Sequence, residues 1–388
     1  MNKQNIFILF LGQVLGFTTP SFIFFSAGLV GANLMDLRSL ITLPVSCFVI
    51  GNALMTWGIA PTMKKLGRKR SFITVNSLTF LPSIIAYFAI TQEIFIMFCL
   101  ATLLFGMKIA FVNQYRFAAA ENASEKHVPQ AISIIFLGGV FGGFFGPFMA
   151  SYFKDTVTGS EFAFSYLILF ILDCLSAVAF LAYKEPTTEN QSNTQVVPMS
   201  IREVLKVPNF IVAATIGACG YGFMSLLMTA TPVNMKILQF YPSSDAAIVV
   251  QLHVVSMFLP SLFTGKLIEK FGPSKIIICG IILSFLIWPI SRVSQDFEVF
   301  LIILILLGVA WNFMFVTATV IVQQSCTPKN KFKVQGLNES IIFFVQAFAS
   351  LSAGKMLFSL GWLQLINFSM LLIVPVIIAV ILYKPVKN

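Results

Sequence analysis

Long stretches without a charged residue constrain this chain more than any other feature of its sequence. Nine stretches contain no Asp, Glu, Lys or Arg: 4–35, 39–63, 71–92, 127–153, 207–235, 246–265, 276–291, 299–328 and 356–383. A helix needs about 20 residues to cross the roughly 30 Å hydrocarbon core of a bilayer, so each stretch can form one membrane span. Because the apolar stretches are continuous rather than alternating, they predict helices and not the strands of a membrane β-barrel.

Three further predicted spans carry isolated charges. The span that begins at residue 94 contains Lys108, the span 163–183 contains Asp173, and the span 335–358 contains Glu339 and Lys355 near its ends. Twelve spans result, six on each side of a polar stretch.

The sequence therefore predicts an all-α integral membrane protein of 12 transmembrane helices in two six-helix bundles. We expect an N-terminal bundle at 1–183, a cytoplasmic linker at 184–207 and a C-terminal bundle at 208–388.

Charge composition supports a membrane protein and indicates its orientation. Charged residues make up 10% of the chain, against about 25% in soluble proteins. The net charge of +10 does not predict a nucleic-acid partner, because phosphate-binding patches need a solvated surface. With the N-terminus inside, 19 of the 25 Lys and Arg residues fall on the cytoplasmic side and five outside. We expect a multi-pass protein of the bacterial inner membrane, surrounded by lipid, with both termini cytoplasmic.

Several functional classes lack their required residues in this sequence. There is no G-x4-G-K-[ST] loop for an ATP-driven pump. There is also no nucleophile–base set or cluster of His, Asp and Glu for an enzyme. The six cysteines are scattered without the spacing of a metal site. We therefore expect no catalytic residue, no metal and no cofactor; a transporter, a channel and a receptor remain as candidates.

The two halves of the sequence repeat the same features at similar offsets. Gly67 and Gly272 lie 205 residues apart in matching loops, and Gly106 and Gly308 lie 202 apart in the fourth and tenth spans. The first span carries Thr18-Thr19-Pro20 and the seventh carries Thr229-Ala-Thr231-Pro232. Such a duplication is typical of transporters that bind their substrate between two repeats.

The repeated loops resemble the G-x-x-x-(D/E)-(R/K)-x-G motif of the major facilitator superfamily. The second copy matches with Gly265, Glu269, Lys270 and Gly272. The first copy matches with Gly67 and Arg68 and departs from it with Ala60 and Lys64. The fifth span, with Gly142, Gly146 and Pro147, is similar to a pattern that the family associates with proton antiporters. The resemblance covers the whole chain and implies a central cavity lined by spans 1, 4, 7 and 10.

On that plan, the polar and aromatic residues of the four spans are candidates for substrate binding. They are Gln13, Thr18, Thr19, Lys108, Asn113, Gln114, Tyr221, Ser225, Trp311 and Asn312. Lys108 suits an anionic substrate or an internal counter-charge, with a structural ion pair as the alternative.

Two further groups are candidates for proton coupling. Asp173 suits either a scaffold hydrogen bond or a protonatable site, and His253 suits either a proton relay or packing.

The altered first loop predicts a gate at the cytoplasmic face. The motif places a base, Lys64, where the family has an acid, and Glu339 is expected in the first turn of span 11. We expect Lys64 or Lys65 to contact Glu339 and close this side, with Glu269 facing the fifth span in the other half. The alternative is that residues 64–70 only set the topology and bind anionic lipid.

The function that these features favour is secondary active transport of a small organic solute by alternating access. The resemblance of the fifth span favours proton-coupled export by antiport, carried out by a monomer. Two stretches, 115–121 and 245–265, resemble a bacterial subgroup in which riboflavin carriers have been proposed, which implies vitamin uptake as an alternative. A passive facilitator is the other alternative.

Overall fold

The computed structural model describes residues 2–123, 128–185, 201–324 and 331–384, which form helices and no strand. The N-terminal half contains α1 (Lys3–Leu34), α2 (Leu43–Ser77), α3 (Phe80–Thr91), α4 (Phe95–Val112), α5 (Tyr115–Glu121), α6 (Val128–Tyr152) and α7 (Ala163–Leu181). A short helix, α8 (Ile201–Val204), precedes the C-terminal half. That half contains α9 (Pro208–Val233), α10 (Ser243–Phe258), α11 (Ser261–Phe271), α12 (Pro273–Ile290), α13 (Phe297–Gln324), α14 (Lys331–Leu360), α15 (Trp362–Met370) and α16 (Ile373–Leu382).

These helices supply the spans that the sequence predicts. In the described residues, eleven helical segments are long and apolar enough to cross a membrane. The pair α10 and α11, bent by 41° at its break, makes a twelfth. The break contains Pro260, which has no backbone N–H to continue the helix. The prediction of an all-α membrane protein with twelve spans is confirmed.

The repeated loop glycines adopt one unusual backbone conformation in both halves. Gly67 has φ 77° and ψ 170°, and Gly272 has φ 84° and ψ 157°. This region is essentially restricted to glycine, because a Cβ would collide with the backbone. The sharp turn that begins the third and ninth spans therefore requires glycine at both positions.

Both ends of each half lie at one end of the molecule, which we name the terminal face. The Asn5 side-chain amide donates to the Lys184 carbonyl at 2.6 Å, and the Asn209 amide donates to the Lys384 carbonyl at 2.9 Å. The loop 35–42 and the C-terminal end of α14 lie at the other end, the opposite face. The helices run between these two faces.

The halves meet closely at the opposite face. A Cβ on Gly28 would lie 2.7 Å from the Val233 side chain, and one on Gly354 would lie 2.3 Å from the Thr42 hydroxyl. Nearby, the hydroxyls of Ser46 and Ser350 are 3.1 Å apart across the two halves. These contacts join α1 to α9 and α2 to α14, and they leave no room for solvent between the helices they join.

Glycines of α6 allow it to pack directly against α1. A Cβ on Gly146 would lie 2.1 Å from the Ser21 hydroxyl and 2.6 Å from the backbone of Thr18 and Phe22. Gly142 is similar, because its Cβ would lie 2.7 Å from the Val14 carbonyl. The glycine pattern of the fifth span is thus accounted for by close helix packing.

We expect Gly146→Ala to lower the free energy of unfolding by about 1 to 3 kcal/mol, because the backbone of α1 cannot yield to the added methyl group. Thermal unfolding of the purified protein in detergent measures this change. The control is Gly265→Ala in α11, where a Cβ meets nothing within 4 Å. Equal melting temperatures for the two variants would contradict the packing argument.

Candidate functional site

A cavity lies between the two halves, near the middle of the molecule. It encloses about 1040 Å³ of space free of protein atoms, including the part open to solvent. Helices α1, α2, α4, α5 and α6 line one side, and α9, α10, α13 and α14 line the other. Aromatic, amide, hydroxyl and charged side chains of the lining include Gln13, Phe17, Ser21, Asn52, Asn113, Arg116, Phe136, Tyr221, Phe258, Trp311, Phe315, Glu339, Phe343 and Gln346.

Aromatic rings form a connected wall of this cavity. Trp311 stacks on Phe315 with the centroids 4.8 Å apart and the planes 18° apart. Tyr221 packs edge-on against both rings, with its ring centroid 5.1 Å from that of Trp311 and 5.0 Å from that of Phe315. The Phe258 ring centroid is 6.0 Å from that of Trp311 and 4.9 Å from that of Phe17, which belongs to the other half. The wall offers flat faces and fixed ring edges to a planar ligand.

Amide side chains provide polar groups between the rings. Gln13, Asn52 and Gln346 are 5 to 6% exposed and line the cavity, as does the less buried Asn113. The Asn52 Oδ1 and Trp311 Nε1 atoms are buried and have no hydrogen-bond partner in the described part of the chain. A cavity that is largely apolar and has a few polar groups is typical of a site for a small organic ligand.

An ion pair crosses the cavity on the side of the terminal face. The Arg116 guanidinium of α5 contacts the Glu339 carboxylate of α14, and the side chains are 21% and 18% exposed. Within the described residues, it is the ion pair that joins the two halves. The pair therefore connects the halves near the terminal face, as the contacts described above connect them at the opposite face.

Of the ten substrate-binding candidates, the structure brings four to the cavity: Gln13, Asn113, Tyr221 and Trp311. It places the other six elsewhere: Thr18, Thr19, Lys108, Gln114, Ser225 and Asn312. Thr18 donates to the Val14 carbonyl of its own helix at 2.9 Å, and Ser225 is fully buried in α9.

Lys108 and Asp173 form a buried ion pair inside the N-terminal half. The Lys108 Nζ atom is 2.6 Å from Asp173 Oδ1 and 3.0 Å from the Thr19 hydroxyl, and the two side chains are 4% and 0% exposed. The pair joins α4 to α7 and, through Thr19, to α1. Lys108 therefore does not reach the cavity as a substrate-binding residue, because a partner within its own bundle holds it.

Asn312 joins both sides of the break between α10 and α11. Its amide donates to the Met257 carbonyl and to the Ser261 hydroxyl, both at 2.7 Å. Its carbonyl oxygen accepts from the Thr264 hydroxyl at 2.7 Å. The side chain is fully used in holding this bend, so the prediction that Asn312 lines the cavity is wrong.

The proton-coupling candidates also lie away from the cavity. His253 is fully buried between α10 and α13, and its Nδ1 atom is 2.7 Å from the Leu304 carbonyl. Its Nε2 atom has no partner among the described residues. Asp173 is held by Lys108, as described above. Neither group touches the space that a substrate would occupy.

Of the two lysines expected to contact Glu339, Lys65 does not, and the contact with Lys64 stays a prediction. Lys65 is exposed to solvent, and the Lys64 side chain lies outside the described part. Glu339 pairs with Arg116 instead, because α14 begins at Lys331 and carries Glu339 to its third turn, level with α5.

Of the other expected gating residues, Arg68, Glu269 and Lys270 lie toward the terminal face and three residues of α6 do not. Arg68 forms a two-point ion pair with Glu121 at 2.5 and 2.7 Å, within the N-terminal half. Glu269 and Lys270 are exposed in α11. Gly142, Gly146 and Pro147 lie within α6, beside α1.

Most of the aromatic wall and two of the amides that line the cavity were not predicted from the sequence. Phe17, Phe258 and Phe343 were not distinguished among the 42 phenylalanines of the chain. Asn52 lies in α2 and Gln346 in α14. The resemblance to the family implied a cavity lined by other helices, so neither residue was a candidate. Their signal was present, since an amide in the middle of an apolar span is costly unless it faces protein or water.

Comparisons with known proteins agree with this architecture. The sequence profile of the Major Facilitator Superfamily matches residues 6–251 and 241–388. The riboflavin transporter RfnT of Brucella anthropi is 34% identical over 383 residues, which cover 98% of this chain and 96% of that protein. Two uncharacterized MFS-type transporters of Bacillus subtilis also match. YddS is 24% identical over 86% of this chain and 80% of its own length; YdeG is 22% identical over 97% and 91%. The chain belongs to the Major Facilitator Superfamily and is a transporter, not an enzyme.

Proposed function

We propose that the protein carries riboflavin, or a flavin of closely similar shape, across the bacterial inner membrane by alternating access. The observation that carries this proposal is the cavity wall of stacked and edge-on rings with amide side chains on both halves. A flavin has a flat three-ring system with polar atoms along one edge and a chain of hydroxyl groups. The rings of the wall suit the flat face, and the amides suit the hydroxyls and the polar edge.

Two further observations support a ligand of this class. The cavity is lined by rings and amides from both halves, as expected for a substrate site between two repeats. The relative from Brucella anthropi, which is named a riboflavin transporter, aligns with 98% of this chain.

The contacts between the halves support alternating access. The Gly28–Val233 and Ser46–Ser350 contacts join the halves at the opposite face, and the Arg116–Glu339 pair joins them toward the terminal face. We propose that the terminal face is cytoplasmic, as the excess of Lys and Arg indicates. On this orientation, the transporter must break the opposite-face contacts to open outward.

We propose uptake as the direction of transport. The glycine pattern in α6 was the reason to expect antiport, and its packing against α1 explains those glycines without an antiport mechanism. Proton-driven export stays the second candidate, because the fifth span does resemble the antiporter pattern.

Uptake of radiolabelled riboflavin by cells that neither make nor import it tests the proposal. We expect the gene for this protein to give saturable uptake that unlabelled riboflavin competes, and an uncoupler to reduce accumulation. Efflux from preloaded cells without any uptake would support export instead. The absence of both would contradict the proposed function.

Adjacent phenylalanines on α14 allow a matched test of the aromatic wall. Phe343 lines the cavity, and its ring centroid is 6.1 Å from that of Tyr221. Phe344 points outward and is 74% exposed. We expect Phe343→Ala to raise the KM for riboflavin by about 5- to 10-fold, the equivalent of one lost aromatic contact. Phe344→Ala is expected to leave the KM unchanged. Equal KM values in the two variants would remove the wall from the binding site.

A further inference from the structure

Apart from Arg116, whose guanidinium pairs with Glu339, two buried side chains of the cavity have a polar atom without the partner that a protein interior normally provides. Asn52 of α2 is 6% exposed and Trp311 of α13 is 3% exposed. The Asn52 Oδ1 and Trp311 Nε1 atoms accept or donate no hydrogen bond within the described chain. An unmade hydrogen bond of this kind costs about 1 to 3 kcal/mol, so a transporter that keeps two of them in its cavity has a use for them.

Their neighbours show that the site is not simply poor in hydrogen bonds. Asn312, one residue after Trp311, uses both ends of its amide on Met257, Ser261 and Thr264. Ser21, which also lines the cavity, donates to the Gly142 carbonyl of α6 at 2.9 Å. Among the described lining residues, the buried atoms without a partner belong to Asn52, to Trp311 and to Arg116, whose guanidinium pairs with Glu339 through another nitrogen.

Close packing surrounds both residues. A Cβ on Gly106 of α4 would be 3.0 Å from the Asn52 backbone nitrogen, so α2 and α4 are in close backbone contact at this position. The Trp311 ring is held by stacking on Phe315 and by the edge of Tyr221. A residue with an unused acceptor on one half and a residue with an unused donor on the other therefore line the same cavity.

We propose that Asn52 and Trp311 are the residues that recognise the polar edge of the substrate ring. Asn52 Oδ1 accepts a hydrogen bond from a ring N–H, and Trp311 Nε1 donates one to a ring carbonyl or ring nitrogen. This inference rests on the proposed function and specifies it, because a flavin carries one ring N–H between two carbonyls. A ligand that makes both bonds joins the N-terminal half to the C-terminal half and so favours the state in which the halves close around it.

The recognition pair has a consequence for specificity. A site built to bond a particular N–H rejects an analogue that lacks it, because the buried acceptor is then left unsatisfied. Replacing the hydrogen of the ring N–H by a methyl group removes the donor and adds bulk at the same place. We expect the protein to bind riboflavin about 10- to 100-fold more tightly than this N-methylated riboflavin, which corresponds to about 1.4 to 2.8 kcal/mol.

Binding of the two flavins to the purified full-length protein tests the inference, with quenching of flavin fluorescence as the readout. In Asn52→Leu, which keeps the volume and removes the acceptor, we expect riboflavin and the N-methylated riboflavin to bind equally well. In Trp311→Phe, which keeps a ring and removes the donor, we expect both to weaken by about 10-fold while the preference between them stays. Thermal unfolding shows whether each variant is folded, and Asn52→Ala replaces Asn52→Leu if the latter is not.

The outcomes separate this inference from the proposed function. A wild-type protein that binds and transports no riboflavin contradicts the proposed function itself. A wild type that binds riboflavin but does not distinguish the methylated form overturns the inference alone, as does a preference that Asn52→Leu and Asn52→Ala retain. A Trp311→Phe variant with unchanged affinity for both flavins removes Trp311 from the pair.

Discussion

Replacing Asp173 by leucine is expected to destabilise the protein more than any other single change proposed for it. The Lys108 ammonium would lose a carboxylate 2.6 Å away at a site where the two side chains are 4% and 0% exposed. Removing one partner of a buried pair costs about 3 to 5 kcal/mol, because the other charge stays buried without compensation. We expect Asp173→Leu and Lys108→Met each to lower the melting temperature strongly and to reduce the amount of folded protein in the membrane.

The double variant Lys108→Met/Asp173→Leu is expected to recover most of the lost stability, since two apolar side chains of similar volume can replace a buried ion pair. Lys154 and Asp155, an exposed pair 3.5 Å apart in a loop, provide the control. Changing Asp155 to Asn is expected to cost less than about 1 kcal/mol. Single variants at 108 and 173 that melt like wild type would contradict this account of the pair.

The same double variant decides between two roles that the sequence left open for Asp173. If the pair is only a scaffold, riboflavin uptake by the double variant keeps the pH dependence of wild type. If Asp173 exchanges protons during transport, the double variant loses that dependence even though it is folded. The placement of the pair away from the cavity leads us to expect the first result.

The fold was largely predictable from the sequence because one energetic term dominates it. A charge in the hydrocarbon core is so unfavourable that uncharged stretches mark the spans directly. The same term marked Lys108 and Asp173 as unusual. It could not show that they bind each other, since that contact depends on how α4 and α7 pack.

The candidate site was less predictable, for a reason that Phe343 and Phe344 illustrate. The two residues are identical and adjacent, yet one lines the cavity and the other is 74% exposed on the outer surface. Hydrophobicity does not separate these environments, because lipid and an aromatic cavity wall accept the same side chain. Asn52 and Gln346 were recognisable as amides within apolar spans, and they were overlooked because the family plan directed attention to other helices.

The second large effect is expected at the ion pair that joins the halves. Arg116 and Glu339 meet at the cavity on the side of the terminal face, and each belongs to a different half. Glu339→Arg would place two positive charges against each other and push α5 and α14 apart at the terminal face. We expect this variant to lose at least 10-fold in riboflavin uptake, because a transporter that cannot close this side cannot open the other without a leak.

Exchange of the two charges tests whether the contact or the individual residues matter. The swapped variant Arg116→Glu/Glu339→Arg restores opposite charges across the same gap, so we expect it to recover much of the uptake. A cysteine in place of Asn113, which lines the cavity and is partly exposed, reports the state of the gate in a chain whose six native cysteines are replaced. We expect a membrane-impermeant thiol reagent applied from the cytoplasmic side to label it faster in Glu339→Arg than in the swapped variant. Glu161→Arg at the opposite face is the control and should change neither uptake nor labelling, since Glu161 lies 4.0 Å from Lys154 within one half.

One pair of results would contradict this account of the gate: no recovery of uptake in the swapped variant, and equal labelling in wild type, Glu339→Arg, the swapped variant and Glu161→Arg. The pair would then not form the gate, and Arg116 and Glu339 would act separately on the substrate.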